Sequence, residues 1–221
     1  MQTNNNSSFI ISYLNLRIGL GFVGFFLPII LIIGSFIFGN CSQIQPSISH
    51  YYYTVMGNYF VGSLCAVAMF LFFYKGYDKT DSIVANIAGV CALLVAFFPT
   101  DPASNSLCQF VSNNRNGSVN AIHYTAAALL FSSFAFFCLV LFTKTDATHA
   151  MSAHKKIRNK IFVCCGIIIT VCVVLLAVYN IIGSLHNIIE KYKPTLILES
   201  IALFAFGLSW IAKGEMFLKD D

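Results

Sequence analysis

Six long stretches of this 221-residue sequence are apolar and almost free of charged residues. Each is long enough to cross the hydrocarbon core of a membrane, which is about 30 Å thick, as a helix of about 20 residues. The stretches cover residues 18–38, 54–74, 82–98, 119–142, 161–182 and 194–212. Because they are continuously apolar instead of alternating with a period of two, they predict helices and not the strands of a β-barrel. We therefore expect an all-α protein, an integral membrane bundle of six transmembrane helices.

The composition supports a single membrane domain. Of all residues, 57% are hydrophobic and only 10% are charged, whereas soluble domains carry about a quarter charged residues. Six spans use most of the apolar residues, so we expect one transmembrane domain over 18–213 between tails at 1–17 and 214–221. The net charge of +4 comes from 13 Lys and Arg spread along the chain. Without a basic patch interleaved with aromatic residues, this charge argues against a nucleic-acid partner.

The basic residues predict the orientation of the helices, because cytoplasmic loops of membrane proteins hold an excess of Lys and Arg. With both termini in the cytoplasm, only Arg115, Lys191 and Lys193 fall on the outer side. The loops at 39–53, 99–118 and 183–193 are then outside. We expect an integral protein of the plasma (inner) membrane. The basic loop at 143–160 would lie against anionic lipid headgroups, although it acts most simply as a topology signal.

The eight cysteines divide between helices and loops. Six lie inside predicted helices, where a thiol behaves as a small buried apolar group: Cys65, Cys91, Cys138, Cys164, Cys165 and Cys172. The other two, Cys41 and Cys108, lie in loops that are both predicted outside. An oxidising exterior favours a disulfide between them. The chain has no CxxC pair, so we do not expect cysteines to bind zinc.

Polar side chains gather where the predicted helices reach the outer face. Glu199 stands out, because it lies about 7 Å beyond Pro194 along the sixth helix, where an ionisable group is costly unless it faces a partner or water. His123 lies at a comparable depth in the fourth helix. We predict a polar pocket that opens outward. Its candidate residues are His50, Asn58, Asp101, His123 and Glu199.

Each of these residues also has a plainer structural interpretation. Glu199 would fix helix packing through a buried hydrogen bond. Its candidate partners are His123, Asn58 and Asn180. Asp101 lies between two prolines and would shape a turn. The tyrosines near the same face would form an aromatic belt at the membrane surface. They are Tyr51, Tyr52, Tyr53, Tyr124 and Tyr192.

Three glycines in the first helix, Gly19, Gly21 and Gly24, have the spacing GxGxxG. No strand precedes them, so a dinucleotide site is not expected. Small residues inside a membrane helix instead allow a neighbouring helix to approach closely.

Three functions are compatible with the polar pocket. The first is binding of a small polar ligand or a lipid headgroup, with membrane lipid as the partner. The second is a metal-dependent lipid hydrolase, in which His50, Asp101 and His123 hold zinc and Glu199 is the general base. The third is a small proton or ion pathway through Glu199 and His123. No HxxxH or HExxH spacing places two ligands on one helical face. The sequence therefore leaves open whether the protein is an enzyme, whether zinc is present and which oligomer forms.

Short motifs of the chain resemble two known families of membrane proteins. The run SISHYYYT at 47–54, the turn FPTD at 98–101 and His123 followed by small residues resemble an uncharacterised family of six-helix bacterial membrane proteins. That resemblance implies a fold and no established activity. A more distant similarity is to the CREST membrane hydrolases, which include alkaline ceramidases and adiponectin-receptor-like proteins and carry a Ser, an Asp and three His around zinc. Ser47, Asp101 and His123 would correspond. This chain differs in having six predicted helices instead of seven, and Glu199 where an HxxxH pair is expected.

Overall fold

The computed structural model describes residues 2–39, 41–102, 108, 117–145, 152–182 and 188–219, with side chains from Ser12 onward. Within these residues the chain forms six α-helices and no β-strand, so the predicted all-α fold is confirmed. The helices are α1 (Gln2–Gly39), α2 (Gly57–Phe73), α3 (Lys79–Phe97), α4 (Gly117–Phe136), α5 (Ala153–Ile181) and α6 (Pro194–Lys213). A π-helical turn, Phe137–Leu141, continues α4, and short 3-10 helices cover Ser49–Tyr53 and Glu190–Tyr192.

Five of these helices are long and apolar enough to cross a membrane, which indicates an integral membrane protein. They are α1, α3, α4 with its π-helical turn, α5 and α6. The remaining helix, α2, is apolar but has only 17 residues. At about 1.5 Å per residue it is about 26 Å long, slightly less than the hydrocarbon core. It is shorter than the predicted span at 54–74 because residues 54–56 form a turn between the 3-10 helix and α2.

Two helices, α1 and α5, begin well before the positions that the apolar pattern predicts. The first begins at Gln2 instead of at residue 18, because the intervening sequence contains neither glycine nor proline to stop a helix. The predicted polar tail is therefore the first part of α1. The fifth helix begins inside the predicted 143–160 loop, where the hydroxyl of Ser152 accepts a hydrogen bond from the Lys155 N–H at 3.0 Å. Parts of the three predicted long loops, at 103–107, 109–116, 146–151 and 183–187, lie outside the described residues.

The helices form a closed ring in chain order. Each helix packs against the next, and α6 packs against α1. The α1–α6 contact brings two backbones together, because a Cβ atom added to Gly21 would lie 2.7 Å from the carbonyl oxygen of Gly207. A Cβ atom added to Gly24 would lie 2.5 Å from the Phe206 ring, whereas one added to Gly19 would meet nothing within 4 Å. The predicted close approach is thus confirmed for Gly21 and Gly24 only.

The two ends of the ring differ in character. The disulfide end, where α1 ends and α2 begins, is covered by residues 41–54, which we call the plug segment. Cys41 is bonded to Cys108 with a Cα–Cα distance of 5.3 Å, so the predicted disulfide is confirmed. The plug segment is largely buried although it is not part of a long helix. Its buried residues are Cys41, Gln45, Ser47, Ile48, Ser49, Tyr51, Tyr53 and Thr54.

The opposite end, where α2 ends and α3 begins, we call the basic end. Its core is an aromatic cluster around Trp210, which is fully buried. The rings of Phe70, Tyr74, Phe137 and Phe142 have centroids 4.9–5.6 Å from that of Trp210. These rings fill the centre of the bundle near the basic end. Any internal cavity must therefore lie closer to the plug segment.

Candidate functional site

Four consecutive residues of the plug segment, 47–50, connect the predicted pocket residues. The hydroxyl oxygen of Ser47 lies 2.5 Å from Nδ1 of His50. The backbone N–H of Ile48 donates a hydrogen bond to Glu199 Oε2 at 2.7 Å. Ser49 Oγ lies 3.0 Å from Nε2 of His123. One short stretch of chain thereby joins residues from the plug segment, α4 and α6.

The position of Glu199 follows from how α6 begins. Pro194 is the first helical residue, where proline is favoured because its missing N–H would have had no helical partner. Two residues later the N–H of Leu196 donates to the carbonyl oxygen of Pro46 at 3.0 Å, which docks the plug segment against α6. Glu199 lies about one turn below and accepts from Ile48. The expected side-chain partners of Glu199 were therefore wrong. A backbone donor, which no side-chain pattern marks, takes their place.

His123 is buried and uses both ring nitrogens. Its Nδ1 lies 2.7 Å from the carbonyl oxygen of Phe98, and its Nε2 lies 3.0 Å from Ser49 Oγ. Since a carbonyl can only accept, Nδ1 carries a proton and donates it to the Phe98 carbonyl. His123 thus ties α4 to the end of α3 and to the plug segment.

His50 lies close to two other predicted pocket residues. The pKa of His50 is lowered from its usual 6.5 to about 4, chiefly because burial removes water and also because of the neighbouring His123, while the Asp101 carboxylate opposes the shift. His50 is therefore neutral at pH 7. Asp101 itself is exposed, and its backbone N–H donates to Asn120 Oδ1 at 2.8 Å. The Asn120 amide in turn donates to the Asp101 carboxylate.

The tyrosines of the plug segment belong to the core and not to an aromatic belt. Tyr51 and Tyr53 are 0% and 1% exposed. The Tyr53 hydroxyl donates to the carbonyl oxygen of Thr100 at 2.6 Å, and Thr100 Oγ1 lies 3.1 Å from the Tyr124 hydroxyl. The belt prediction is thus wrong for Tyr51 and Tyr53. Thr100 and Asn120 were not among the predicted pocket residues, because the sequence marks them only as polar residues near helix ends.

Two other predicted residues are separate from this cluster. Asn58 is exposed on α2. Asn180 is exposed on α5, and its amide donates to the carbonyl oxygen of Leu176 in the same helix at 2.7 Å. The structure therefore brings together His50, Asp101, His123 and Glu199, while Asn58 lies elsewhere.

A narrow internal cavity of about 50 Å³ lies directly beneath the plug segment. Its polar side chains are Ser49, Ser63 and Glu199, all of which belong to the half of the bundle nearer the disulfide end. The other lining residues are apolar. They are Val23, Gly24, Leu27, Ile48, Phe60, Leu64, Val67, Val95, Ala127, Leu130, Phe131, Phe134, Leu203 and Phe206. The cavity therefore has one polar end and an apolar body.

The length of the cavity can be read from the helices that line it. On α6 the lining extends from Glu199 to Phe206, and on α4 it extends from Ala127 to Phe134. Seven residues of rise correspond to about 11 Å. A volume of about 50 Å³ is small for that length, so the cavity has room for a short segment of an alkyl chain and not for a bulky solute.

A groove on the surface of the bundle meets this cavity. It runs between α1 and α2 and is lined mainly by apolar residues. Val23 and Val67 line both the groove and the cavity, so the two spaces adjoin at these side chains. In a membrane the groove would face lipid.

The zinc site considered from the sequence is not assembled. Within the part of the chain that the structure describes, no group of three His, Cys, Asp or Glu residues is arranged to hold a metal ion. His123 engages both ring nitrogens, and the Asp101 carboxylate is bound by Asn120. These residues do not fit a zinc centre, and we derive no reaction through one.

Comparison of the chain with protein-family models, with curated proteins and with solved structures finds no match. The two family resemblances drawn from short motifs remain predictions.

Proposed function

We propose that this protein binds a membrane lipid, with the polar head held at Glu199 and the adjoining part of one alkyl chain in the internal cavity. One observation carries the proposal: the cavity is apolar along its length and polar at a single end. An amphipathic molecule has the same distribution of polarity. This proposal is more specific than the prediction from the sequence, which was that the pocket binds a small polar ligand or a lipid headgroup.

The chemistry of the polar end selects the headgroup. A carboxylate accepts hydrogen bonds and does not donate them, so Glu199 favours a head that carries hydroxyl or ammonium groups and disfavours an anionic head. Ser49 and Ser63 add hydroxyls beside it. One oxygen of the Glu199 carboxylate already accepts from Ile48, which fixes its orientation toward the cavity.

The groove between α1 and α2 supplies a route from the bilayer. A lipid chain lying in the groove would pass between Val23 and Val67 to reach the cavity. No charged side chain lines the groove, so a lipid chain entering it would displace none there. The ligand would thus come from the membrane and not from the aqueous phase.

The orientation in the membrane forms part of the proposal. We place the disulfide end outside the plasma membrane, because disulfides form and persist in oxidising surroundings. The basic end then faces the cytoplasm, in agreement with the bias of Lys and Arg toward that side. On this topology the polar head of the bound lipid lies in the outer half of the bilayer.

The binding test uses two single-chain probes of opposite head chemistry. Purified protein in neutral detergent is titrated with radiolabelled monopalmitoylglycerol, whose head has two hydroxyls, and separately with palmitate, whose head is anionic at neutral pH. We expect monopalmitoylglycerol to bind more tightly. Glu199→Gln should weaken its binding by about tenfold or more, since a hydrogen bond to a charged group contributes about 1.5–3 kcal/mol.

Matched variants separate binding from folding. Glutamine keeps an oxygen that accepts from Ile48, so Glu199→Gln should retain the plug segment, while Glu190→Gln changes an acid at the same end outside the cavity. Val67→Trp should block the route, whereas Val171→Trp enlarges an exposed side chain on α5 and should not. Equal affinity for both probes in the wild type, or equal effects of the two tryptophan variants, would contradict the proposal.

A further inference from the structure

A serine hydroxyl and a histidine ring meet at the polar end of the cavity. The Ser49 hydroxyl oxygen lies 3.0 Å from Nε2 of His123, within the range over which a general base can take a proton. The other ring nitrogen, Nδ1, donates to the carbonyl oxygen of Phe98 at 2.7 Å. In its neutral form, His123 therefore keeps its proton on Nδ1 and offers the lone pair of Nε2 to the serine.

The two residues differ in their position relative to the cavity. Ser49 lines the cavity, whereas His123 is not among the described residues that line it. His123 is only 2% exposed, so its ring is enclosed by the protein. A molecule in the cavity thus contacts the serine hydroxyl, and the imidazole reaches that molecule only through the serine.

A second serine and histidine of the plug segment, Ser47 and His50, provide a contrast. The hydroxyl oxygen of Ser47 lies 2.5 Å from Nδ1 of His50 and also accepts from the backbone N–H of His50 at 3.3 Å. This is a local contact of the kind that caps the start of a short helix. Neither residue is among the described residues that line the cavity. The pair of Ser49 and His123, by contrast, joins positions 74 residues apart and includes a cavity residue.

The fold also fixes Ser49 relative to Glu199. The preceding residue, Ile48, donates its N–H to Glu199 Oε2 at 2.7 Å, and Ser49 begins the 3-10 helix Ser49–Tyr53. In an acyl lipid the ester group joins the polar head to the alkyl chain. With the head at Glu199 and the chain in the apolar body, the ester group lies beside Ser49.

We propose that this protein is a lipid esterase in which Ser49 is the nucleophile and His123 is the general base. The inference rests on the lipid binding proposed above. The substrate class is a fatty acid ester whose head carries hydroxyl groups, such as a monoacylglycerol. A nucleophile, a base within hydrogen-bond reach and a third group that orients the base together activate a serine for acyl transfer. Here the carbonyl oxygen of Phe98 orients the base.

The reaction has two halves. In the first, Ser49 Oγ forms a bond to the ester carbonyl carbon while Nε2 of His123 takes the hydroxyl proton. The bond between that carbon and the head oxygen then breaks, the proton passes to the departing alcohol, and the fatty acyl group remains esterified to Ser49. In the second half, a water molecule attacks the acyl carbon, and His123 takes a proton from the water and returns it to Ser49 Oγ. The fatty acid is released, and its negative charge beside the Glu199 carboxylate favours its departure.

The first test locates the nucleophile. Purified protein in neutral detergent is treated with dodecyl fluorophosphonate, whose phosphorus forms a bond to an activated serine oxygen with loss of fluoride. We expect one adduct per chain, and peptide mass spectrometry should place it on Ser49. Ser200→Ala is the matched control, because Ser200 lies next to Glu199 but donates to the carbonyl oxygen of Leu196 at 2.6 Å and is not among the described cavity residues. It should be labelled like the wild type, whereas Ser49→Ala should not be labelled.

The second test measures release of palmitate from radiolabelled monopalmitoylglycerol. His123→Gln should slow both this release and the labelling of Ser49 by about 100-fold or more, since a general base contributes about 10²–10⁴-fold to the rate. Ser49→Ala should release no palmitate but should still bind monopalmitoylglycerol, because Glu199 is unchanged. Circular dichroism of each variant verifies the helical fold. The position of the label in the wild type decides the identity of the nucleophile even where a variant does not fold.

The outcomes separate this inference from the proposed lipid binding. Binding of monopalmitoylglycerol with neither palmitate release nor a label on Ser49 would overturn the esterase and leave lipid binding intact. A label on another serine, or equal rates of release by the wild type and a folded His123→Gln variant, would also overturn it. Failure of the wild type to bind monopalmitoylglycerol would contradict the lipid binding itself, and the esterase with it.

Discussion

At the scale of single residues, the protonation of His50 links the stability of the fold to pH. Its pKa is lowered to about 4 in the folded chain because burial removes water, and His123 adds to the effect while Asp101 opposes it. An unfolded histidine has a pKa of about 6.5. Between these two values the unfolded chain binds a proton that the folded chain does not. Stability should therefore fall as the pH decreases from about 6.5 to about 4.

A pH series of unfolding measurements tests this prediction. A single proton changes the free energy of unfolding by at most about 1.4 kcal/mol per pH unit. Replacing His50 by glutamine should flatten the profile in this range. His154→Gln, at the basic end, is the control and should leave the slope that His50 contributes in place. An unchanged profile in His50→Gln would show that the plug segment tolerates a charged His50.

Sequence reasoning identified single residues better than it identified their partners. Glu199 and His123 were found because ionisable groups inside apolar helices are costly unless they are satisfied. Their partners were missed, since Glu199 binds the backbone N–H of Ile48 and His123 binds the backbone carbonyl of Phe98. Every residue carries such backbone groups, so no pattern of side chains distinguishes the ones that will be used.

At the scale of secondary structure, the contact between α1 and α6 closes the ring of helices. Gly21→Ala should destabilise the protein by about 1–3 kcal/mol, because the added methyl group would overlap the backbone of α6. Gly19→Ala, two residues away, places a methyl group where nothing lies within 4 Å. It should be neutral or stabilising by up to about 1 kcal/mol, since alanine favours a helix over glycine. Thermal unfolding of the two variants in detergent measures the difference, and equal stabilities would contradict this packing.

The plug segment depends on the disulfide between Cys41 and Cys108, which are 67 residues apart. Cys41→Ser should lower the free energy of unfolding by about 2–5 kcal/mol. Cys65→Ser, which removes a free thiol in α2, provides the comparison. Alkylation without reductant should leave Cys41 and Cys108 unmodified, and their modification would show that the bond is absent.

The helices could be predicted from the sequence because a continuous apolar stretch strongly indicates a membrane helix. The residues at which the helices begin and end could not be predicted in the same way. The early start of α1 depends on polar residues that continue a helix as readily as they form a tail. The sequence did not predict the plug segment as a buried structural element, because its residues are polar and aromatic and lie in a stretch predicted to be a loop. Its burial results from the six helices leaving one end of the ring to be filled.

At the scale of the whole molecule, the ring has two chemically different ends, and the orientation proposed for them can be measured directly. Single cysteines are introduced at the exposed positions Asn58, at the disulfide end, and Lys79, at the basic end, after the six free cysteines are replaced. A membrane-impermeant thiol reagent applied to intact cells should label the variant at position 58 and not the one at 79. The opposite pattern would reverse the topology and place the disulfide in the cytoplasm.

The cavity is also a feature of the whole molecule and not of any one helix. Its lining comes from α1, α2, α3, α4, α6 and the plug segment, so no local stretch of sequence predicts it. The sequence indicated a polar site that opens outward. In the structure the polar groups are joined to one another, and the cavity lies beneath them.

The central claim is that this cavity holds a lipid chain with its head at Glu199. The most direct measurement is an experimental density map of the protein extracted with its native lipids and crystallised from a lipid phase. The account predicts continuous elongated density that runs from the Glu199 carboxylate toward Phe134 and Phe206. A cavity that is empty, or that holds only separate water molecules, while lipid density is confined to the outer faces of the helices would contradict it.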